Sequence, residues 1–496
     1  MKILLLSMPD VAPVIMHPSA IHMPNLGIAS LGANIDEGHE VRIADLIRRR
    51  RRPGAYIKHL LEHFRPEVVG LSAMAWQYHT CTRIIDLIRR TRPEARIVIG
   101  GYHATLMYTE IAAGPEARQI DFMVRGEGET TFRRLIRALD GQDRLDQIPG
   151  LSWKDGGAFC HNPPGRLLDL STLHLPIRDG RRLTSGYHVM NHHVEVMETS
   201  RGCTRACHFC SMNHMYGRSF RTFPIERVLA DIDDIFHRRR VRWIFVADDN
   251  VVLDPERVEA LCEAITRRGY RGLNLVTQAD CITMSRQPRM VARMARAGFK
   301  TVFLGIENAS RKNLKAAGKG DILDASRRAV EVCHANGIMV VGGMIFGFPD
   351  DDEPDIIENY RFLKSVDADA AYCQILTPYP KTEMRRQLLA EGLVVNRDDY
   401  SRYNGMWANV RTRHLSAERL QYLFWYHRQQ VLGWWEPSAH VRRGGQLWTG
   451  IWRMAFRPLL KQVIGYQTRR LGWEGRHRKT LEDLARINRF ADLENS

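Results

Sequence analysis

Three cysteines, Cys203, Cys207 and Cys210, lie within eight residues of one another in the stretch "VMETSRGCTRACHFCSMNH". The chain has nine cysteines among its 496 residues, which is too few for a disulfide scaffold. In such a chain, clustered thiols indicate metal binding in a reducing compartment. We therefore expect a cytoplasmic protein with a metal centre on this loop.

Two metal chemistries compete for this triplet. Zinc takes four tetrahedral ligands, so a zinc site would need a fourth from His208, His214 or Cys281. A [4Fe-4S] cluster is usually held by four thiolates. Three thiolates leave one iron open for a further ligand. An open iron adds nothing to structural stability, but it can bind a reactant during catalysis. The CxxxCxxC spacing favours the iron–sulfur cluster, and zinc stays the alternative.

The cysteine loop follows the first of six apolar stretches that alternate with helix-like segments between residues 194 and 395. The predicted strands are "VEVMETS", "WIFVADD", "LNLVTQAD", "TVFLGIEN", "GIMVVGGMIFGFP" and "AAYCQILTPYP". Six successive βα units predict a partial (βα)6 barrel that does not close at eight strands, with its site at the carboxyl ends of the strands.

A second α/β region is predicted over residues 1–140. Its strands are "KILLLSMP", "HEVRIADL", "PEVVGLSAM", "ARIVIGG" and "IDFMVRGEGE", and their alternation with helices predicts a doubly wound parallel sheet. Ligands of such sheets sit at the carboxyl ends of the strands. The residues at those ends are small or lie in glycine turns: Ser72, Gly100, Gly101, Gly126, Glu127, Gly128 and Glu129. Three open strand ends in one sheet favour a bound cofactor.

The remaining chain divides into a connecting stretch and a helical end. Residues 141–193 are rich in Pro, Gly and Asp and are predicted to be a linker with a hairpin near "WKDGGAFC". Residues 396–496 are predicted to form a helical C-terminal domain. Seven tryptophans in it are interleaved with basic residues: Trp407, Trp425, Trp434, Trp435, Trp448, Trp452 and Trp473. They predict either packing against the barrel or peripheral contact with a membrane.

The chain has 72 basic and 56 acidic residues, a net charge of +16. The basic excess includes the runs 48–52 and 238–240. A basic excess can indicate an anionic partner. No nucleic-acid-binding signature accompanies the runs, so solvated loops are the favoured interpretation and nucleic acid is not an expected partner.

The motif "CTRACHFC", with Phe209 before its third cysteine, resembles the CxxxCxxC signature of radical S-adenosylmethionine (SAM) enzymes. The resemblance implies that the open iron chelates SAM, whose reductive cleavage gives a 5′-deoxyadenosyl radical. It also implies a flavodoxin or ferredoxin as electron donor.

Further strand ends resemble family motifs. "FVADDN" places Asp248 and Asp249 where the family contacts the SAM amino group. "FLGIENAS" places Glu307 among the cofactor contacts, and Gln278 ends the third strand, within reach of the ribose. "GGMIFGFPDDDEP" and "ILTPYPKTEM" resemble the fifth and sixth strand motifs, with Lys381 where glycine is common.

The N-terminal region resembles the cobalamin-binding domain of one radical SAM subclass. "VIGGYHAT" and "DFMVRGEGET" match its pattern, which implies that the small strand ends bind cobalamin and that Gly101 and His103 line the nucleotide tail or corrin edge. No DxHxxG motif is present, and His17 and His22 lie in the relevant loop outside any such motif. The resemblance, over residues 1–395, therefore implies cobalamin without a protein imidazole ligand.

Together these features predict a cobalamin-dependent radical SAM enzyme that methylates an unactivated carbon of a small-molecule or lipid-like substrate. The same cofactors also serve radical cyclisation or rearrangement, as in a tetrapyrrole cyclase. A zinc-stabilised RNA- or membrane-binding protein is the third hypothesis. No single acid or base is identified by the sequence, and Tyr216, Tyr379 and Tyr403 are the candidates.

Overall fold

The computed structural model describes residues 1–11, 21–183, 185–189, 192–428, 431 and 472–494. The elements of the N-terminal part are β1 (Lys2–Ser7), β2 (Ile21–His22), α1 (Leu26–Ala33), β3 (Glu40–Asp45), α2 (Pro53–Phe64), β4 (Val68–Ser72), α3 (Tyr78–Thr91), β5 (Arg96–Gly100), α4 (Tyr102–Leu106), α5 (Tyr108–Ala113), β6 (Phe122–Val124), α6 (Gly128–Leu139), β7 (Leu151–Asp155) and β8 (Ala158–His161).

The first sheet has the strand order β3-β1-β4-β5-β6-β7-β8. Its first five strands are parallel, as predicted. Five of the six residues of β1 are buried, because helices cover both faces of a parallel sheet. Two apolar clusters fill these faces. The register places Ser72 of β4 beside both Ser7 of β1 and Gly100 of β5, so the small strand ends lie along one edge.

The second sheet is built from the elements that follow. They are β9 (His188–Val189), β10 (His192–Met197), β11 (Ser200–Arg201), α7 (Met212–Tyr216), β12 (Arg221–Thr222), α8 (Ile225–Asp233), β13 (Trp243–Val246), α9 (Pro255–Arg268), β14 (Asn274–Ala279), α10 (Cys281–Arg286), α11 (Pro288–Ala297), β15 (Phe299–Glu307), α12 (Arg311–Ala316), α13 (Leu323–Ala335), β16 (Met339–Phe346), α14 (Glu353–Ser365), β17 (Ala370–Ile375) and α15 (Glu383–Ala390).

The order β17-β16-β15-β14-β13-β10 is parallel throughout, which confirms the six strands of the predicted partial barrel. The helices between them follow local sequence rules. Helix α9, for example, begins where the Asp254 side chain accepts a hydrogen bond from the Arg257 amide and ends at Gly269 in the left-handed conformation. One large apolar cluster lies between the barrel sheet and its helices.

The stretch over 141–193 is more than a linker. The predicted hairpin is present as β7 and β8, and its antiparallel pairing to β6 extends the first sheet. Strand β9 pairs with β10 and with β2, so residues from both ends of the N-terminal region add to the barrel sheet. Each sheet therefore contains strands from the other side of the predicted boundary at residue 140. Strands β7 and β8 extend the first sheet, and β2 belongs to the barrel sheet.

The described residues from Ala417 onwards are mainly helical, as predicted, whereas residues 396–416 are turns and loops with one short 3-10 helix at Tyr400–Arg402. The helices are α16 (Ala417–His427), α17 (Gly472–Arg486) and α18 (Ala491–Glu494). Helix α16 packs on the barrel through the buried side chains of Leu420, Leu423 and Phe424. Helix α18 instead returns to the first sheet, where Phe490 and Leu493 join the apolar cluster beneath α2 and α3.

Candidate functional site

A cavity of about 290 Å³ opens at the carboxyl ends of β1, β4, β5 and β6. Seven residues predicted to bind a cofactor lie along its wall: Ser72, Gly100, Gly101, Gly126, Glu127, Gly128 and Glu129. A side chain at Gly101 would strain a backbone with φ of +91° and place its Cβ 2.9 Å from the Ala73 carbonyl oxygen. The glycines thus leave the strand ends open for a large ligand to approach the backbone.

His103 lies apart from this wall. Its ring packs on those of Tyr78 and Tyr400, at centroid distances of 4.2 and 5.0 Å, and the side chain is 2% exposed. Burial lowers the pKa of His103 to about 4, so the ring is neutral at physiological pH. The predicted contact of His103 with a corrin edge stays a prediction.

The expectation that cobalamin binds without a protein imidazole ligand also stays a prediction. The described residues that line the cavity include no histidine. His22 lies in β2, where it pairs with the residues of β9, and His17 lies outside the described residues.

The cysteine loop leaves the end of β10 and is fixed at several points. The amide of Gly202 donates to Asp249 Oδ2 at 2.9 Å, and the amide of His208 donates to the Ala317 carbonyl at 2.9 Å. The His208 carbonyl in turn accepts from the Met384 amide at 2.9 Å. These bonds tie the loop to the ends of β13, α12 and α15, so its conformation is set by three other βα units of the barrel.

The three thiols lie in a largely buried environment, in which the thiolate form needs a compensating positive charge. Cys203 is 8% exposed, and Cys207 and Cys210 are half-buried. Burial raises the pKa of all three thiols, that of Cys210 to about 12, and neighbouring thiolates contribute to the rise at Cys207 and Cys210. Thiols of this kind are deprotonated when they coordinate a metal, because the charge of the metal stabilises the thiolates.

The donor set fits a [4Fe-4S] cluster better than zinc. Of the proposed fourth ligands, His208 has Nδ1 2.8 Å from the Ala316 carbonyl oxygen, Cys281 is buried with Sγ 3.6 Å from the Gly305 carbonyl oxygen, and His214 is exposed. Within the described ranges, no three His, Cys, Asp or Glu side chains are grouped closely enough to hold a metal ion. In a cubane each thiolate binds a different iron, so the three need not converge on one point.

The two neighbouring aspartates have different surroundings. Asp248 is fully buried and accepts hydrogen bonds from the amide and hydroxyl of Thr199, both at 2.6 Å, and from the Ser200 hydroxyl at 2.5 Å. Its carboxylate therefore holds the backbone before the cysteines. Asp249 accepts from Gly202 and lies in the electrostatic range of Cys203 and Cys210. Of the two, Asp249 faces the cysteine loop.

Gln278 and Glu307 lie at the ends of β14 and β15. Gln278 donates from Nε2 to the Asp248 carbonyl at 3.5 Å. Glu307 has a φ of +68°, which is uncommon for a residue other than glycine, and its Oε1 lies 2.9 Å from Nζ of Lys319. Lys319 was missed by the sequence analysis. Its charge offsets part of the rise that burial causes in the pKa of Cys207, so it is a cation beside the predicted cluster, and no motif marks it.

The cavity and the cysteine loop meet at two tyrosines. The hydroxyl of Tyr102, which follows Gly101, interacts with that of Tyr216, and both rings lie within the electrostatic range of Asp249. Cys210 also lies close to Tyr102. Because Tyr102 and Tyr216 both line the cavity, the predicted cobalamin and cluster sites share one wall.

The other two candidate tyrosines differ in position. Tyr379 is half-buried and lies within electrostatic range of Cys210. Tyr403 accepts a hydrogen bond from Arg385 and donates to the Asn396 carbonyl, both at 2.7 Å, so its hydroxyl holds the chain after the barrel together.

The contacts of the basic runs give little support to an anionic partner. The tryptophans, in turn, give little support to membrane contact. Arg238 and Arg239 pair with Asp179 and Asp234, and Arg50 donates to the Ile487 carbonyl at 2.6 Å. Trp434, Trp435, Trp448 and Trp452 lie outside the described residues.

Among the tryptophans that the structure describes, Trp425 is half-buried and packs against the barrel core. None of the helices that the structure describes is long and apolar enough to cross a bilayer. Membrane contact therefore stays a prediction.

Comparison with known proteins agrees with both of the sites described above. The family model of the radical SAM superfamily matches residues 197–363, and that of the B12 binding domain matches residues 13–136. The chain belongs to the cobalamin-binding radical SAM enzymes. Its cofactors are therefore a [4Fe-4S] cluster, SAM and cobalamin.

Relatives within and around this family include both methyltransferases and cyclases. The chain is 28% identical over 439 residues to an uncharacterized methyltransferase of Pyrococcus horikoshii, covering 87% of this chain and 94% of that protein. It is 24% identical over 466 residues to the anaerobic magnesium-protoporphyrin IX monomethyl ester cyclase of Synechocystis, covering 92% and 88%.

A solved structure shares the fold. The radical SAM methyltransferase TsrM of Kitasatospora setae, solved with cobalamin and a [4Fe-4S] cluster bound, superposes with a TM-score of 0.65 at 19% identity, covering 80% of this chain and 76% of that one. The chain is thus a cobalamin-dependent radical SAM enzyme whose relatives include methyltransferases.

Proposed function

We propose that this enzyme transfers a methyl group to an unactivated carbon of a small-molecule substrate bound between the two strand-end faces. The observation that supports this most directly is the shared wall formed by Tyr102 and Tyr216, which brings the cavity of the first sheet against the cysteine loop. A substrate between the two faces reaches both cofactors without leaving the protein, which shields reactive species from water.

The chain's own residues hold and orient the cofactors. Cys203, Cys207 and Cys210 hold the cluster, and Asp249 fixes the Gly202 amide at the start of their loop. The glycine-lined cavity holds cobalamin by shape. When bound, the cluster with SAM supplies a substrate-activating radical and cobalamin supplies the methyl group.

Tyr216 and Tyr379 are the side chains placed to hold a proton and donate a hydrogen bond near the substrate. Burial raises the pKa of both hydroxyls well above the ordinary value, so each is protonated at neutral pH and acts as a hydrogen-bond donor. Tyr403 is excluded from this role because its hydroxyl already binds the Asn396 carbonyl and Arg385.

The test is anaerobic turnover of the reconstituted enzyme with SAM labelled in its methyl group, a low-potential reductant such as a flavodoxin or ferredoxin, and candidate substrates. Lipid-like isoprenoids and tetrapyrroles come first, because the tryptophan-rich C-terminal region suits an apolar substrate. Label in the product together with 5′-deoxyadenosine supports methylation.

The second candidate function is radical cyclisation without net methylation. The cyclase relative aligns with 92% of the chain, and the cofactor sites alone do not separate the two reactions. Formation of 5′-deoxyadenosine with a cyclised, unlabelled product would favour this alternative and overturn methylation.

A further inference from the structure

A buried group of five charged residues joins the two cofactor regions. This interdomain ion cluster consists of Glu127, Glu129, Glu198, Arg201 and Arg221. The two glutamates of the Gly126–Glu129 turn belong to the first sheet, and the other three belong to the barrel. The side chain of Arg201 is 8% exposed and that of Glu127 is 4% exposed, so these charges interact with little screening by water.

Arg201 is the centre of the cluster. Its Nη1 lies 3.1 Å from Glu127 Oε1, and its Nη2 lies 2.6 Å from Glu129 Oε1. Its Nε and Nη2 also contact the two carboxylate oxygens of Glu198, at 3.0 and 2.7 Å. One guanidinium therefore binds three carboxylates, two of them from the other sheet. Charge-assisted contacts of this kind are strong and directional.

The backbone on both sides of Arg201 has little freedom to move. Asp248 holds Thr199 and Ser200 on one side of Arg201. On the other side, Gly202 has a φ of +88°, and a Cβ there would lie 2.4 Å from the Ser219 carbonyl oxygen. A displacement of Arg201 is therefore passed to Cys203, two residues later.

The other end of the cluster is part of the cobalamin cavity. Glu127, Glu129, Glu198 and Arg201 all line its wall. Glu129 also accepts a hydrogen bond from the Ser30 hydroxyl at 2.7 Å, and Glu127 accepts one from the Leu168 amide at 2.9 Å. A ligand that fills the cavity thus orders the same turn to which Arg201 is bound.

We propose that Arg201 is a positioning residue that couples the two cofactor sites, so that cobalamin in the cavity strengthens binding of SAM at the cluster and SAM strengthens binding of cobalamin. This inference rests on the cofactor assignment above. Coupling between two sites is reciprocal by thermodynamic necessity, and one shared element that both ligands order is sufficient to produce it.

The experiment measures SAM affinity on full-length, cluster-loaded protein with and without hydroxocobalamin, under anaerobic conditions. For the wild type we expect cobalamin to tighten SAM binding by about fivefold or more. In Arg201→Lys, which keeps the charge and loses the forked contact with three carboxylates, this factor falls towards one while the iron content stays at the wild-type level.

Two further variants approach the same contact from the other sheet. Glu127→Gln and Glu129→Gln leave the cysteine segment unchanged and weaken its hold on the turn, so the coupling factor must fall in both. They also keep the proposal testable if Arg201→Lys loads no cluster. The matched control is Arg257→Lys. Arg257 donates to the Thr199 carbonyl at 2.8 Å, so it holds the same segment from within the barrel. Its coupling factor stays at the wild-type value.

The outcomes separate this proposal from the proposed function. A wild-type protein in which cobalamin leaves SAM affinity unchanged, or an iron-loaded Arg201→Lys or glutamine variant with wild-type coupling, overturns the role of Arg201. A protein that binds no cobalamin at all overturns the proposed function instead. A loss of coupling in Arg257→Lys equal to that in Arg201→Lys would show a general effect of loosening the segment and would also overturn the proposal.

Discussion

The carboxyl ends of the two parallel sheets prepare their sites in opposite ways. The first sheet does so by leaving side chains out: Gly100, Gly101 and Gly126 leave a cavity, and its wall is largely backbone and apolar surface. The barrel does so by adding reactive side chains, with three thiols on the loop after β10 and Asp249 after the neighbouring strand β13. One cofactor is thus held by shape and the other by ligands. Removing one device should therefore leave the other cofactor bound, although its affinity loses the contribution of the coupling proposed above.

The largest effect is expected from removing the ligands. Combined Cys203→Ala, Cys207→Ala and Cys210→Ala substitutions should reduce bound iron and sulfide to background and abolish 5′-deoxyadenosine formation, because these three thiols are the proposed ligands of the cluster. Cobalamin binding should persist. Iron and cobalt are measured together after anaerobic reconstitution, and loss of both metals would contradict separate means of holding the two cofactors.

Filling the cavity should give the reverse result. Gly100 has ordinary backbone angles, and a Cβ there would have only van der Waals contacts, the nearest at 3.6 Å to the Val124 carbonyl oxygen. Gly100→Leu should therefore fold and place its side chain in the cavity, lowering bound cobalt about tenfold or more with iron unchanged. Gly165→Leu, at an exposed glycine that also makes only van der Waals contacts, is the control and should retain cobalamin.

A buried carboxyl makes the stability of the N-terminal region depend on pH. Burial raises the pKa of Asp10 to about 7, although the Thr80 hydroxyl donates to it at 2.7 Å. Between about pH 4 and 7 the folded state holds a proton that the unfolded chain has lost. The free energy of unfolding should therefore fall as pH rises through this window, by up to about 1.4 kcal/mol per pH unit.

Thermal unfolding of the wild type and Asp10→Asn across this pH range measures the effect. The variant has no carboxyl to titrate, so its midpoint should depend less on pH than that of the wild type. Parallel curves for the two proteins would contradict a raised pKa at Asp10.

The smallest effect is expected at the exposed contact between the two regions. Lys381 has a φ of +63° and pairs with Glu110 at 2.8 Å, with both side chains nearly half exposed. Exposed pairs contribute about 0–1 kcal/mol. Lys381→Gly loses the ion pair and removes the strain of a side chain in the left-handed conformation. The free energy of unfolding should therefore change by less than about 1 kcal/mol.

Lys381→Ala is the informative partner for that variant. It loses the same pair and keeps a Cβ in the left-handed conformation, which costs about 1–2 kcal/mol. Melting temperatures should therefore rank the alanine variant below the glycine variant, and equal values would show that the backbone at this position relaxes.

Much of the fold could be read from local patterns. Each of the eleven predicted parallel strands is present, because an apolar run flanked by helix-like segments fixes a buried parallel strand without reference to distant residues. The cysteine triplet and the glycine strand ends are likewise local, since spacing along the chain and backbone freedom do not depend on the tertiary environment.

The tertiary structure decided which polar side chains face the site. Asp248 and Asp249 are neighbours in sequence, and only the packing of Thr199 and Ser200 shows that one is structural and the other faces the cysteines. His103 turns from the cavity to Tyr78 and Tyr400. Arg201 binds glutamates that lie more than 70 residues earlier in the chain, and Lys319 reaches Cys207 from beyond α12. Such partners are set by long-range contacts, which no local pattern specifies.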